Sequence, residues 1–497
     1  MAAFVCSVLY IILVVGIGYF TSRKNDSTEK YYAAERSMSW PLIGMMLFAF
    51  IFAGPAVTGP ISSGYDFGIE CMWACMGMAI GCLWFIVGGV SDLYRVSGRH
   101  GAMSVPGVFA YRFDEKTRLM MMVYIAIVFT MFFTGQIAAI GSLFAGLLNV
   151  SYMSMAIFIT ICYVAMAWFG FEGVAWQNVL HNVMMVLGFL VMLVLCVKAA
   201  GGFGNMWTSL PASYWDPWYP NFNISGADLL SSVFQCAVSG TIITCAFVAK
   251  DRKQTRLGFT FGLILAAIYS LFGPLIGMAA RVFYGEGKEV STIPSLVTSQ
   301  FGTVPGVLLT IAILAATAST APGLLMVVVN ALVNDLYPVI KKGVTDKQKM
   351  FLTRILLWVV AAVALWMSTG IASDLLNYLF LAFAINSCAG VVLWLSGFVP
   401  KLNSNCAFWG MIVGIVAVFA WQFAGDPNYI APFWFSMLGV AVTLILCAFQ
   451  KEADPKYLAY RKELKYLKDN PDVEFKEYME QLEAAKKAAA ENGASAE

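Results

Sequence analysis

The amino-acid sequence predicts an all-α polytopic membrane protein with about 13 transmembrane helices. Three observations favour this class: 60% of the 497 residues are hydrophobic, only 12% are charged, and the charges cluster between long apolar runs. Soluble domains carry about 25% charged residues, so this chain has too little polar surface for a water-soluble particle of its size. The long apolar runs approach the roughly 20 helical residues that cross a hydrocarbon core.

The apolar runs define the predicted spans. The first, 3–20, has no charge before it and a basic loop after it, so we interpret it as a span and not as a cleaved signal. The 11 cysteines are scattered within apolar runs, which is typical of small buried hydrophobic residues and not of a disulfide framework. The predicted spans are 3–20, 40–63, 69–91, 117–147, 152–169, 174–199, 228–249, 258–281, 303–335, 351–370, 373–398, 406–424 and 429–449.

Basic residues concentrate in alternate loops, and this pattern predicts the orientation. Clusters of arginine and lysine follow the first, third, seventh, ninth and last spans, whereas the alternate loops, after the even-numbered spans, carry only Lys198, Arg281 and Lys288 at or near them. The positive-inside rule then predicts a multi-pass protein of the inner (plasma) membrane with its N-terminus outside and its C-terminus in the cytoplasm. The net charge of +2 indicates no nucleic-acid partner. The sequence leaves the oligomeric state open.

The spans and loops divide the chain into six predicted parts. The long outside loop is rich in tryptophan, tyrosine and proline, which favours an interfacial position. The tail contains two helical stretches, 456–468 and 473–490, which we expect to be solvated and without chemistry. The parts are a first helix with its cytoplasmic loop (1–39), spans two to six (40–200), an extracellular loop (201–227), spans seven to eleven (228–399), two trailing helices (400–450) and a cytoplasmic tail (451–497).

The second span carries two Gly-Pro pairs, Gly54-Pro55 and Gly59-Pro60. Proline removes a backbone donor and clashes with the preceding turn, and a freed carbonyl in the membrane needs another partner. The span is either a broken helix whose carbonyls coordinate a cation, as in many secondary transporters, or a helix with a simple proline kink. The seventh span has a weaker counterpart at Ser239-Gly240, which is the matching position if the two groups of five spans are inverted repeats.

The ninth span places Ala316, Ser319 and Thr320 on one helical face, because they stand at i, i+3 and i+4. Two hydroxyls and a carbonyl are neutral oxygen ligands that suit a hard, singly charged cation. Pro322 also frees the carbonyl of residue 318, since proline has no N–H to bond it. Hydrogen bonding of the hydroxyls back to the preceding turn is the alternative interpretation.

These segments resemble the sodium:solute symporter family in order and spacing, from residue 1 to about residue 450. In the ninth span the family pattern is an Ala-Ala run, then Ser-Thr, then a helix that ends in Asp-Leu/Ile-Tyr. The matching residues here are Ala315-Ala316, Ser319-Thr320 and Asp335-Leu336-Tyr337. Further matches are Tyr31 to Ser39, Phe48-Ala49, Gly59, Gly64-Tyr65, Gly68, Ser104-Val105-Pro106, Tyr111-Arg112-Phe113 and Ala249-Lys250-Asp251.

The resemblance implies a transporter core of five-plus-five inverted repeats, with one leading and two trailing helices. It also implies sodium as the coupling ion, held by two carbonyls of the broken helix together with the carbonyl and hydroxyls of the ninth span. Carried over by position, the sodium ligands are Ala49, Phe52, Ala316, Ser319 and Thr320.

Several positions depart from the family pattern. An aspartate that helps sodium to leave is Asn178 here, and a following glutamine is His181. We therefore expect an altered sodium exit path or stoichiometry at Asn178, and another coupling ion stays open. A Gln-Arg pair is replaced by Thr244-Cys245, and an Asp-Ser pair by Pro322-Gly323.

The resemblance places the solute beside the breaks, among spans two, three, four, seven and eleven. We find no charged residue at mid-membrane in these spans, since Glu70, Asp92 and Arg281 lie near span ends. The nearby rings and methionines are either ordinary core residues or the lining for a compact, partly apolar solute, and a quaternary amine could make cation–π contacts. The candidate solute residues are Pro55, Ala56, Trp73, Cys75, Met78, Gln136, Ser232, Gln235, Cys236, Asn386 and Ser387.

The predicted function is sodium-coupled secondary active symport of a small organic solute, such as an amino acid, a betaine or a small carboxylate, by alternating access. The partners are the solute, the sodium ion and the lipid bilayer. A sensor with a transporter fold, or a carrier coupled to another ion, is the alternative. An enzyme is not predicted, because HExxH, GxSxG and CxxC motifs and a clustered mid-membrane carboxylate pair are absent from the sequence.

Overall fold

The computed structural model of the protein describes residues 2–21, 31, 38–102, 104–289, 293–370, 375–424, 430–469 and 480. Every regular element in these residues is a helix, apart from one bridge between Met38 and Ala249. The helices of the first half are α1 (Ala2–Thr21), α2 (Trp40–Ile51), α3 (Gly54–Phe67), α4 (Trp73–Gly81), α5 (Leu83–Ile86), α6 (Val90–Arg99), α7 (Val105–Arg112), α8 (Glu115–Leu148), α9 (Tyr152–Ala167) and α10 (Gly170–Ala199).

The described part of the second half contains thirteen further helices, some of which pair up within one span. They are α11 (Phe203–Ser209), α12 (Phe222–Gln235), α13 (Gly240–Phe247), α14 (Arg252–Tyr269), α15 (Phe272–Tyr284), α16 (Ile293–Gln300), α17 (Thr303–Asn330), α18 (Tyr337–Ile340), α19 (Asp346–Met367), α20 (Leu375–Ser396), α21 (Ser404–Phe423), α22 (Pro432–Ala448) and α23 (Pro455–Asp469). A π-helical stretch, Ala331–Leu336, joins α17 to α18.

The helices confirm an all-α membrane architecture. Nine described segments are long and apolar enough to cross a bilayer, a tenth is the pair formed by α12 and α13 with a 44° bend, and three shorter apolar helices are α2, α9 and α22. Every predicted span overlaps one or more of these helices. The breaks expected in the second and seventh spans are present, whereas the division of the third and eighth spans into separate helices was not predicted.

The second span is broken where its first Gly-Pro pair stands. Helix α2 ends at Ile51 and α3 begins at Gly54, with Phe52 and Ala53 between them in non-helical conformation. Pro55 is tolerated in the first turn of α3, where its missing N–H would have no intrahelical partner. The structure therefore shows a broken helix at this pair and not a simple kink.

The second Gly-Pro pair does not break the helix. Pro60 lies inside α3, and its missing N–H leaves the carbonyl of Ala56 without its helical partner. The Cys75 thiol of α4 donates to that carbonyl at 3.1 Å and also lies 3.6 Å from the carbonyl oxygen of Ile51, which Pro55 leaves free in the same way. One buried thiol thus contacts both carbonyls that the two prolines release.

Helix α17 lies at the core of the bundle, and 89% of the residues in its most apolar stretch are buried. It packs against α10, α8 and α1, while α2 packs on α14 and α3 on α15. Glycines allow the last pair to approach closely: a Cβ added at Gly277 would lie 2.3 Å from the carbonyl oxygen of Ile61 and 2.7 Å from the backbone nitrogen of Tyr65. Small residues at helix contacts are the usual means of close packing in membranes.

The expectation of a solvated tail is wrong for α23, which is docked on the loop helices. The Arg112 guanidinium of α7, with a fully buried side chain, pairs with Asp454 and donates to the carbonyl oxygens of Ser396 and Leu402 at 3.1 Å each. Glu463 lies 2.9 Å from Nε2 of His100. An apolar face of α23 is buried as well, because it covers α6 and α7. The stretch 473–490 lies almost entirely outside the described residues.

Candidate functional site

The carbonyl oxygen of Ala49 receives two hydroxyl hydrogen bonds from α17. Thr320 Oγ1 donates to it at 2.7 Å and Ser319 Oγ at 3.2 Å. Ser319 Oγ also lies 3.0 Å from the carbonyl oxygen of Ala316 and 3.3 Å from Thr320 Oγ1. Four neutral oxygens from two helices therefore meet beside the break in the second span.

The break is the reason that the Ala49 carbonyl is available. Its helical partner would be the N–H of Ala53, which lies in the extended backbone of the break after α2 ends at Ile51. Ser319 is fully buried and Thr320 is 2% exposed, so these oxygens face one another away from lipid. Ser319 bonds back to its own preceding turn, as one sequence interpretation expected. It also contacts the carbonyl of the facing helix, as a shared ion site requires.

Phe52, the fifth predicted sodium ligand, lies in the break as the C-cap of α2. Its ring stacks on Phe48 with centroids 5.4 Å apart and meets Phe189 of α10 edge-on at 5.1 Å. The hydroxyl hydrogen bonds found in the described residues reach Ala49, one turn earlier. The structure thus brings four of the five predicted ligands together and places Phe52 next to them along the chain.

Asn178, the residue expected on the sodium exit path, is buried on α10, the helix that packs against α17. Neither amide atom of Asn178 or of the adjacent Gln177 has a hydrogen-bond partner among the described residues. One turn further on, Nδ1 of His181 lies 2.6 Å from the Tyr10 hydroxyl. Unpaired buried amides are costly, so this face of α10 is better suited to water or an ion than to a dry core.

Four of the predicted solute residues gather at the break. Gln136 of α8 accepts the N–H of Gly54 through its Oε1 at 3.1 Å. Cys75 meets the carbonyl of Ala56 as described above, and Pro55 lies against Gly135, where an added Cβ would be 3.0 Å from the proline ring. These contacts hold the first turn of α3 to α4 and α8.

The predicted residues of α12 and α20 form a second group. Cys236 donates to the carbonyl oxygen of Met78 at 3.5 Å, and Ser387 to that of Ser231 at 3.1 Å. The side-chain oxygens of Gln235 and Asn386 are buried and have no hydrogen-bond partner in the described residues. Ser232 is buried against Gly77.

Trp73 lies apart from both groups. Its Nε1 donates to the carbonyl oxygen of Pro217 at 2.7 Å, and its ring stacks on Trp218 with centroids 4.9 Å apart. It therefore anchors the Trp-rich loop to the start of α4.

A cavity of about 900 Å³ opens one to two turns from the break, and none of the predicted solute residues lines it. Its wall comes from the second half of α3, the 3₁₀ turn Gly68–Met72, the end of α8, the start of α12 and the start of α20. Lining residues with polar or aromatic side chains include Thr58, Ser62, Glu70, Asp228, Tyr378 and Trp421.

A model of the sodium:solute symporter family matches residues 31–414 of the sequence. The chain belongs to this family. Among curated proteins, the high-affinity proline transporter PutP of Bacillus subtilis is 25% identical over 88% of this chain and 96% of the relative. The sodium/proline symporter of Escherichia coli is 23% identical over 90% of this chain and 95% of the relative.

A solved structure supports the fold of this sodium:solute symporter. A Na⁺-coupled sialic acid symporter in a substrate-bound, outward-open state matches with a TM-score of 0.77 at 19% identity, over 91% of this chain and 98% of that chain. The chain is accordingly a multi-pass membrane transporter of five-plus-five inverted-repeat architecture, not an enzyme, and sodium is its coupling ion.

Two acidic residues of this symporter were missed as site residues. The sequence placed Glu70 near a span end and overlooked Asp228, because the seventh span was predicted to begin there; α12 begins at Phe222, so Asp228 lies inside the helix. Both carboxyl groups line the cavity. The sequence did offer a signal, because each acid stands alone in a run of small and apolar residues. An acidic side chain inside a membrane is costly and marks a solute or ion pathway.

Proposed function

We propose that this symporter takes up a small organic solute together with sodium across the plasma membrane by alternating access. The observation that carries this proposal is the meeting of the Ser319 and Thr320 hydroxyls with the Ala49 carbonyl at the helix break. A sodium ion would use the same oxygens as ligands and would replace these hydrogen bonds. Sodium binding would thereby tie α2 to α17, which is how an ion can favour one state of a rocking bundle.

For the solute, we propose a compact molecule of the amino-acid, betaine or small-carboxylate type. The names of the relatives support this, since they include proline, sialic acid and pantothenate symporters. The buried amides of Gln235 and Asn386 support a polar solute contact, because both keep an unpaired oxygen and their helices, α12 and α20, pack against each other. The predicted residues at the break and those on and beside α12 and α20 would then close on the solute below the open cavity, while Trp73 would hold the Trp-rich loop. Asn178 would lie on the path by which sodium leaves.

We further propose that the N-terminus is outside and that α23 is cytoplasmic. The alternating basic loops carry this orientation. The cavity, which shares its end of the bundle with the loop around Tyr219, would then face outward.

The test replaces Ser319 and Thr320 together by alanine. The double variant removes two oxygen ligands of the proposed ion, so we expect the sodium concentration for half-maximal uptake or thermal stabilisation to rise roughly tenfold or more. Thr310→Ala is the matched control, because Thr310 is a buried threonine of the same helix whose hydroxyl, within the described residues, bonds only its own turn, to Gly306 at 2.7 Å. Unchanged sodium dependence in the double variant, or an equal loss in the control, would contradict this ion site.

A further inference from the structure

Two carboxyl groups from opposite halves of the transporter meet at the wall of the cavity. Glu70 lies in the 3₁₀ turn Gly68–Met72 and Asp228 lies on α12, and their side chains are within hydrogen-bonding reach of each other. The Cys71 thiol is also within reach of Glu70. Carboxylates at this separation repel unless a positive charge or a proton lies between them.

The pair lacks a basic partner in the described part of the chain. Glu70 is only 8% exposed, and its Oε1 atom is buried without a hydrogen-bond partner there. The described lining of the cavity contains three carboxylates, with Asp66 as the third, and no lysine, arginine or histidine. The nearby Arg281 lies 3.9 Å from Asp66 and 2.6 Å from Glu286. A buried carboxylate pair is costly unless a shared proton or a cation neutralises it, so a positively charged ligand would be stabilised there.

The shape and lining of the cavity favour an organic cation over a metal ion. No group of three or more histidine, cysteine or acidic side chains in the described residues could hold a metal. A volume of about 900 Å³ instead admits an organic molecule. The rings of Phe67, Tyr219, Tyr378 and Trp421 line the same space, and aromatic faces attract ammonium groups.

From this geometry we infer that the Glu70–Asp228 pair binds the positively charged ammonium group of the solute as it enters from the cavity. The inference rests on the proposed transport function and narrows its solute to amines, amino acids or quaternary ammonium compounds. Glu70 belongs to the first repeat and Asp228 to the second, and α12 packs against α4 and α20. An ammonium group between them therefore joins the two repeats at the mouth of the solute path.

The test compares isosteric probes that differ in the ammonium charge. Choline is paired with 3,3-dimethylbutan-1-ol, and proline with cyclopentanecarboxylate, and each is titrated against the purified full-length protein in sodium while thermal stability is read. We expect at least one ammonium compound to bind more tightly than its partner. Glu70→Gln with Asp228→Asn should weaken that compound roughly 10- to 100-fold, the range for losing a hydrogen bond to a charged group. Glu286→Gln, an exposed acid beside Arg281, should leave the affinity unchanged.

Three results would overturn the inference. One is the absence of an ammonium preference in both pairs, and another is a preference that survives in the double variant. The third is a double variant that sodium, added without solute, no longer stabilises. That result would mean that the carboxyl pair binds the sodium ion and not the solute. Retained sodium stabilisation shows that the variant is folded. If the ammonium preference requires the carboxyl pair but is the same without sodium, this inference holds and the proposed sodium coupling is contradicted. Failure of the inference can therefore be told apart from failure of the proposed function.

Discussion

At the scale of single residues, the unusual chemistry of the second span depends on one cysteine. Prolines in a membrane helix are tolerated when another group satisfies the backbone carbonyls that they free. Cys75 does this for Ile51 and Ala56 with a single thiol, which sits at 3.6 and 3.1 Å from the two oxygens. A thiol is a weak donor, so both carbonyls are only weakly hydrogen-bonded. Weakly bonded carbonyls beside a helix break can exchange one hydrogen-bond donor for another when the helix moves.

Replacing Cys75 by alanine should therefore destabilise the protein, whereas serine should not. Alanine leaves two buried carbonyls without a donor, at a cost of about 1–3 kcal/mol, while the serine hydroxyl is a stronger donor at the same position. Thermal unfolding of the purified protein measures both. Cys82→Ala is the control, because Cys82 is also fully buried and its thiol makes no hydrogen bond in the described residues. Equal loss in the two alanine variants would show that volume matters and hydrogen bonding does not.

At the scale of helices, the sequence predicted the positions of the membrane spans but only some of the places where a span is broken into two helices. Periodicity and length gave the spans, and the Gly54-Pro55 pair gave the break, because these are properties of local sequence. The continuity of α3 through Pro60 was not predictable, since it depends on a thiol from α4. The oxygens of Ser319 and Thr320 could be proposed from spacing and resemblance. The carboxyl pair could not be found in that way, because its members come from different repeats.

The close contact between α3 and α15 leads to an element-scale prediction. An alanine Cβ at Gly277 would meet backbone atoms of Ile61 and Tyr65, which cannot rotate away, so the two helices must separate. We expect Gly277→Ala to lower the unfolding temperature and to reduce uptake. In Gly16→Ala the new methyl meets no atom of the described residues within 4 Å, so that variant should keep or gain stability by roughly 0.5–1 kcal/mol from helix propensity. Normal stability and transport in Gly277→Ala would show that this contact loosens without cost.

At the scale of the whole molecule, α23 links the trailing segment to the loops between the third and fourth spans. Sequence analysis expected only solvation here, because a charged, mixed helix is usually exposed and its partners are distant in the chain. The structure instead buries Tyr460, Leu464 and Leu467 and surrounds Arg112 with oxygens from three segments. The tail helix therefore braces α6 and α7 at the end of the bundle away from the cavity.

Breaking the ion pair beneath this helix should destabilise the whole transporter. Asp454→Asn leaves the buried Arg112 guanidinium without its carboxylate, and removing one partner of a buried pair costs about 3–5 kcal/mol. The two carbonyl hydrogen bonds of Arg112 remain and should keep the loss near the lower end of that range. Thermal unfolding in detergent measures the effect, with Glu452→Gln as the control because Glu452 is an exposed acid two residues earlier. An Asp454→Asn variant as stable as the control would mean that the Arg112–Asp454 pair contributes nothing to stability, and uptake that survives removal of residues 451–497 would show that transport does not need α23.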